Sequence, residues 1–182
     1  MCWHDSLKQR IRQLPQPEPR LAVVGVGQEL RGDDAAGIRV ARQLLDRVEK
    51  RGFLAIDAGP APENCTGRLR RFAPDMVVVV DAAALHLPPG SIQLLTGADI
   101  GGLSASTHSL PLNLFASYLT SELHCAVIFI AIQPLDTTLG AALSLPVESA
   151  INEIVLTLGA EIEGNGIVRP QPSALDTQSL SF

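Results

Sequence analysis

The sequence predicts a three-layer α/β/α fold, in which helices cover both faces of a mostly parallel, twisted sheet of five or six strands. Hydrophobic residues make up 46% of the 182 residues and aromatic residues only 4%, which is typical of buried parallel strands built from Ala, Val, Leu and Ile. Short apolar runs also alternate with longer segments of helical periodicity. We therefore expect one α/β domain over residues 21–163, an extension over 1–20 and a flexible tail over 164–182.

The apolar pattern of the extension predicts a short amphipathic helix over residues 5–14, with Asp5 or Ser6 as its N-cap. Its apolar stripe consists of Leu7, Ile11 and Leu14. Prolines at three of the next five positions end the helix and lead into the domain.

The domain opens with a strand–loop–helix unit over residues 21–37. Leu21 to Val24 are apolar, and Gly25 and Gly27 allow a tight turn before the helix. Apolar residues then recur at helical spacing from Ile38 to Val48. The predicted buried stripe of this helix consists of Ile38, Ala41, Leu44, Leu45 and Val48.

Two adjacent acids, Asp33 and Asp34, fall where this loop becomes the helix. Free backbone N–H groups and the positive end of the helix dipole favour carboxylates at that position. Capping accounts for one of them, so we expect the other to be presented outward above the sheet.

Five further strands are predicted from short apolar runs and the turn residues around them. They cover residues 53–56, 68–72, 76–80, 91–95 and 126–131. Residues 76–80 are continuously apolar, which indicates a central strand buried on both faces. Residues 57–67 are predicted to be a loop, and the arginines of 68–72 favour an edge strand.

Two more helices complete the pattern. Pro111 predicts the first turn of one, with Leu110, Leu114 and Tyr118 on its apolar face. The other begins near Pro146, and its buried stripe consists of Val147, Ile151, Ile154, Val155 and Leu158.

Candidate site residues lie where strands end and helices begin. Asp57 and Asp81 each follow a strand, and functional groups of open α/β sheets gather beyond the carboxyl ends of strands. Each of them alone is as readily explained by hydrogen bonds to loop N–H groups. His108 precedes a helix, whose positive end favours the neutral imidazole that binds metals. Asp34, Asp81 and His108 would share one rim and form an incomplete metal shell with open positions.

The composition excludes several classes of function. The net charge of −5 and the absence of a basic run argue against nucleic-acid binding. Three widely spaced cysteines indicate free thiols in a reducing cytosol, and no apolar run approaches the length of a membrane span. A soluble cytoplasmic protein without membrane insertion is predicted.

In five blocks the chain resembles the hydrogenase maturation endopeptidases, in particular the branch that serves formate-hydrogenlyase-type hydrogenases. The blocks are residues 25–37, 57–64, 80–82, 106–113 and 128–134. The resemblance covers about residues 21–166 and depends on all the blocks in order. It departs from the family at Gln28, where the loop usually has Asn.

The resemblance implies a protease that removes a short C-terminal peptide from the nickel-loaded precursor of a [NiFe] hydrogenase large subunit. Asp34, Asp81 and His108 match the metal-contacting positions of the family, and we assign Asp57 a supporting catalytic role. Nickel would be delivered by the cysteines of the substrate, and no organic cofactor is implied. Bound nickel would polarise the scissile carbonyl or activate water, and whether Asp33 or Asp57 moves a proton stays open.

Two other functions belong to different classes. A nucleotide-binding module would use the glycine loop, but that loop lacks the G-x-G-x-x-G spacing, and Asp33 and Asp34 would repel phosphates. A non-catalytic nickel-recognition chaperone of hydrogenase assembly would use the same three metal-contacting residues without cleaving the precursor.

Overall fold

The computed structural model describes residues 2–15, 19–48, 51–96 and 112–164. Within them the sheet has five strands in the order β2-β1-β3-β5-β4. The strands are β1 Leu21–Val26, β2 Phe53–Gly59, β3 Met76–Ala82, β4 Ile92–Thr96 and β5 Ala126–Ile132. Four strands are parallel and β4 pairs antiparallel with β5. The predicted mostly parallel sheet is confirmed, and β3 is its central strand.

The same described ranges contain five helices and two short 3-10 turns. The helices are α1 Trp3–Arg12, α2 Ala36–Arg47, α3 Thr66–Phe72, α4 Leu112–Leu123 and α5 Leu145–Gly164. The 3-10 turns are Gly32–Ala35, before α2, and Pro62–Cys65, before α3. No helix in the described ranges combines the length and the apolar composition that crossing a bilayer requires.

Strand periodicity divides the core into two layers. Val23, Ala55, Val78 and Ile128 share one row of the sheet and pack with α1, α2 and α5. The next row packs with α3 and α4 on the opposite face, and it consists of Val24, Ile56, Val79 and Phe129. Helices on both faces make the three predicted layers.

The prediction of an edge strand over residues 68–72 is wrong, because this stretch belongs to α3. In a strand, Leu69 and Arg71 would share a face. The helix instead buries Leu69 completely and leaves Arg68, Arg70 and Arg71 exposed. Residues 57–67, predicted as a loop, likewise contain the end of β2 and the 3-10 turn before α3.

The ends and faces of three helices also differ from the predictions. Helix α1 begins at Trp3 with Cys2 as its N-cap rather than Asp5 or Ser6, and the Trp3 indole N–H donates to Glu153 of α5 at 3.1 Å. Leu45 and Leu114 are exposed. In their place Val40 of α2 is buried, and α4 packs through Phe115, Ala116 and Leu119.

Three predictions fall outside the described residues: the placement of Leu110 and Pro111 at the start of the fourth helix, the position of His108, and the tail of residues 164–182 except Gly164, which ends α5. The stripes predicted for α1 and α5 are buried throughout.

Candidate active site

Backbone contacts through glycine set the start of α2 directly on the sheet. A Cβ atom at Gly25 would overlap the carbonyl oxygen of Gly37, and a Cβ at Gly37 would overlap the carbonyl oxygens of Val26 and Val80. Only residues without a side chain allow this approach. The contact brings the turn that carries Asp34, three residues before Gly37, to the edge where β3 ends.

Asp34 is fixed through its backbone on both sides. Its N–H donates to the carbonyl oxygen of Arg31 at 3.0 Å, and its own carbonyl accepts the N–H of Gln28 at 3.2 Å. A Cβ at Gly27 would overlap that same carbonyl. The side chain is only 3% exposed, so its carboxylate is held at a defined position.

Asp81 lies at the end of the central strand and is also 3% exposed. Its Oδ1 accepts the N–H of Ala82 at 2.9 Å. By strand alternation its side chain is on the face of Val79, which is the face that α4 covers. His108 precedes α4 in sequence and lies outside the described residues. Over the ranges that the structure describes, no three His, Cys, Asp or Glu side chains are grouped to hold a metal ion.

Asp33, next to Asp34, has a different environment. Its buried carboxylate accepts the N–H groups of Leu135 at 2.7 Å, Asp136 at 3.1 Å and Ser144 at 2.7 Å. The Ser144 hydroxyl donates to it as well, at 2.9 Å. The Asp33 N–H donates to the carbonyl of Asp136 at 2.9 Å. Asp33 therefore fastens the connection between β5 and α5 to the turn that carries Asp34.

Asp57 lies within β2 rather than at its end, and it is paired with Gly25 of β1. Its side chain shares the face of Val80 and α2, opposite to that of Asp81. Neighbouring strands are about 4.8 Å apart, so β2 and β3, separated by β1, are about 10 Å apart. Asp57 is thus not part of the Asp34–Asp81 edge itself.

Arg42 of α2 links Asp57 to the glycine loop. Its Nε donates to Asp57 Oδ2 at 2.8 Å, and its terminal nitrogens donate to Glu29 at 2.6 and 3.1 Å. Hydrogen bonds to Arg42 lower the pKa of Glu29, and both acids raise the pKa of Arg42. The second Asp57 oxygen accepts the Gly59 N–H at 3.0 Å. The sequence position of Arg42, on the polar side of α2, contains no sign of this bridge.

Comparison with known proteins identifies the family of the chain. Residues 38–161 match the family described as HycI, hydrogenase maturation protease. The hydrogenase 3 maturation protease of Escherichia coli K12 is 32% identical over 142 residues, which span 78% of this chain and 89% of that protein. A putative hydrogenase maturation protease of Methanocaldococcus jannaschii is 30% identical over 122 residues, 63% of this chain and 72% of that protein.

Solved structures show the same fold. The crystal structure of the [NiFe] hydrogenase maturation protease HycI from Thermococcus kodakarensis superposes with a TM-score of 0.78 at 28% identity, covering 87% of this chain and 99% of that one. The solution structure of the endopeptidase HycI from Escherichia coli gives a TM-score of 0.70 at 31% identity, covering 81% and 93%.

The sheet, its glycine-packed edge and these similarities define a protease of the three-layer α/β class. More narrowly, the chain belongs to the hydrogenase maturation protease family. The resemblance drawn from the five sequence blocks is confirmed.

Proposed function

We propose that this protein is an endopeptidase that removes a short C-terminal peptide from the nickel-loaded precursor of a [NiFe] hydrogenase large subunit. The observation that carries the proposal is the pair of buried carboxylates, Asp34 and Asp81, brought to one edge of the sheet in a member of this family. Relatives named as maturation proteases support the substrate class.

Nickel enters this reaction as part of the substrate. Two carboxylates and one imidazole are a donor set suited to a borderline divalent ion, and they leave positions for further ligands. Asp34 and Asp81 supply the oxygens, and His108, outside the described residues, supplies the nitrogen. Cysteines of the precursor complete the shell from the other side. The ion then polarises the scissile carbonyl or activates water.

The other two acids position the site. All the hydrogen-bond partners of the Asp33 carboxylate within the described residues lie in the β5–α5 connection, so its role is to hold the Asp34 turn. Asp57 supports catalysis indirectly, because with Arg42 it ties α2 to β2 beneath the loop of residues 27–31.

No observation favours either alternative function. Gly25 and Gly37 are packed against backbone, so their spaces are filled and do not form an open phosphate cradle. The relatives are named as proteases rather than as chaperones. A cytoplasmic location is part of the proposal, supported by three free cysteines, of which Cys65 and Cys125 are buried.

The deciding experiment asks which partner must carry the metal. Enzyme and precursor are treated separately with chelator, freed of it, and recombined in all four combinations, and release of the C-terminal peptide is followed by mass spectrometry. Treating the enzyme should change little, since three such ligands hold an ion only modestly. Precursor stripped of nickel should stay uncut.

Efficient cleavage of stripped precursor by an enzyme that carries its own zinc would contradict substrate-delivered nickel. If the nickel-loaded precursor is bound but never cut, the chaperone function is correct instead.

A further inference from the structure

Exposed leucines are concentrated beside the candidate active site, on the two loops that Asp33 joins. Among the residues that the structure describes, eight large apolar side chains are exposed. Half of them lie on the loop before Asp33, on the β5–α5 connection or at the first residue of α5. These four, here called the leucine surface, are Leu30 (67% exposed), Leu135 (61%), Leu139 (72%) and Leu145 (79%).

Hydrogen bonds fix the backbone that carries the leucine surface. The Gly140 N–H donates to the carbonyl of Leu30 at 2.8 Å, which joins the two loops directly. Arg31 Nε donates to the carbonyl of Thr137 at 3.1 Å. The Asp33 carboxylate holds the N–H groups on either side of the connection, at residues 135 and 144. A backbone held in this way needs little further ordering when a partner binds.

The part of the surface on the β5–α5 connection is also nearly uncharged. Residues 133–147 contain one ionisable side chain, Asp136. Its Oδ1 accepts the Thr138 N–H at 2.8 Å, and hydrogen bonds from Thr138 lower the pKa of Asp136. Exposed apolar groups clustered in this way mark interaction sites, and here they suit an apolar partner.

The position of the surface identifies that partner. Asp33 holds the connection that carries Leu135 and Leu139. It is joined by a peptide bond to Asp34, so the backbone of the leucine surface is anchored one residue from the edge at which cleavage is proposed. An endopeptidase must hold its substrate chain across the bond that it cuts. We propose that the leucine surface binds an apolar segment of the hydrogenase large-subunit precursor next to that bond. This inference rests on the proposed function.

The test compares polar substitutions inside and outside the surface. The variants are Leu135→Gln and the double variant Leu30→Gln/Leu139→Gln. The matched control is Leu156→Gln, which is 64% exposed on α5 and bears no hydrogen bond to either loop. Initial rates of peptide release are measured over a range of nickel-loaded precursor concentrations. Because these side chains are exposed, melting temperatures should stay near that of the parent.

The double variant should raise KM about tenfold while kcat stays within about twofold of the parent, as expected for uniform loss of substrate binding. Leu135→Gln should change KM in the same direction, and it decides the question alone if the double variant does not fold. The control should leave both constants unchanged.

Parental KM in both surface variants, with a parent that cleaves normally, would overturn the inference and leave the proposed function intact. Failure of the parent to cleave would instead count against the proposed function. Sedimentation tests whether the surface instead binds a second copy of the chain. If the parent is a dimer and the double variant is a monomer with unchanged KM, the surface is a dimer interface and the proposal is wrong.

Discussion

Asp57 and Asp81 both lie near the carboxyl ends of parallel strands in one mostly parallel sheet, yet their surroundings differ. Asp81, on the central strand, is buried and faces the α4 layer. Asp57, on the outer strand β2, faces α2, is partly exposed and is engaged by Arg42. An acid near the carboxyl end of a strand is therefore not assigned a role by that position alone. Because side chains alternate between the two faces along a strand, the face on which the acid lies and the helix that covers that face decide whether the acid faces the candidate site or supports it from behind.

The largest effect should come from the proposed metal-contacting residues. Asp34→Ala, Asp81→Ala and His108→Ala should each lower kcat/KM for the nickel-loaded precursor by at least about 100-fold, because each removes a ligand of the reacting ion. Far-UV CD should stay parental. Asp46→Ala, at an exposed position of α2, is the control. If any of the three variants processes the precursor at the parental rate, the residue substituted in it is not part of the site.

A smaller effect on activity but a clear effect on stability is expected at Asp33. Asp33→Ala leaves three backbone N–H groups without their acceptor, which should lower the free energy of unfolding by about 3 kcal/mol. Asp33→Asn keeps one acceptor oxygen and should lose about half as much. Urea denaturation measures both. Parental stability in Asp33→Ala would show that the connection is held by other contacts.

The smallest effect should follow the loss of the Arg42 bridge. In Arg42→Gln the pKa of Glu29 should rise towards its ordinary value, because the hydrogen bonds that lower it are removed. A lowered pKa in the folded state contributes stability above the ordinary glutamate pKa and loses it as the pH falls through the folded value. Carboxyl NMR titration follows the shift, and an unchanged Glu29 titration would contradict the bridge. Precursor cleavage should fall only a few-fold.

Local patterns were sufficient for much of the fold. Continuous apolar residues predicted β3, and helical stripes predicted the buried faces of α1 and α5. Residues 68–72 were misassigned because five residues do not distinguish alternation from one helical turn. Packing decides between them, because the helix buries Leu69 completely and leaves the arginines exposed.

The candidate site was predictable only in part, because a local sequence pattern does not show contacts between distant parts of the chain. Asp34 and Asp81 follow from their positions at element ends, and the structure brings them to one edge. The partners of the Asp33 carboxylate are 102 to 111 positions away in sequence. No local pattern records such contacts, so two adjacent aspartates with different environments look equivalent in the sequence.

The long span between Asp33 and Ser144 bears on the order of folding. Contacts between distant parts of a chain form late, since closing a long loop costs entropy before the contact is made. We expect the parallel strands to assemble first and the Asp34 turn to acquire its final shape when the β5–α5 connection docks. Pulse-labelled hydrogen exchange during refolding would then show the amides of Leu135 and Ser144 protected after those of β1 and β3. Until that step, a chain with a complete sheet would still be an inactive protease.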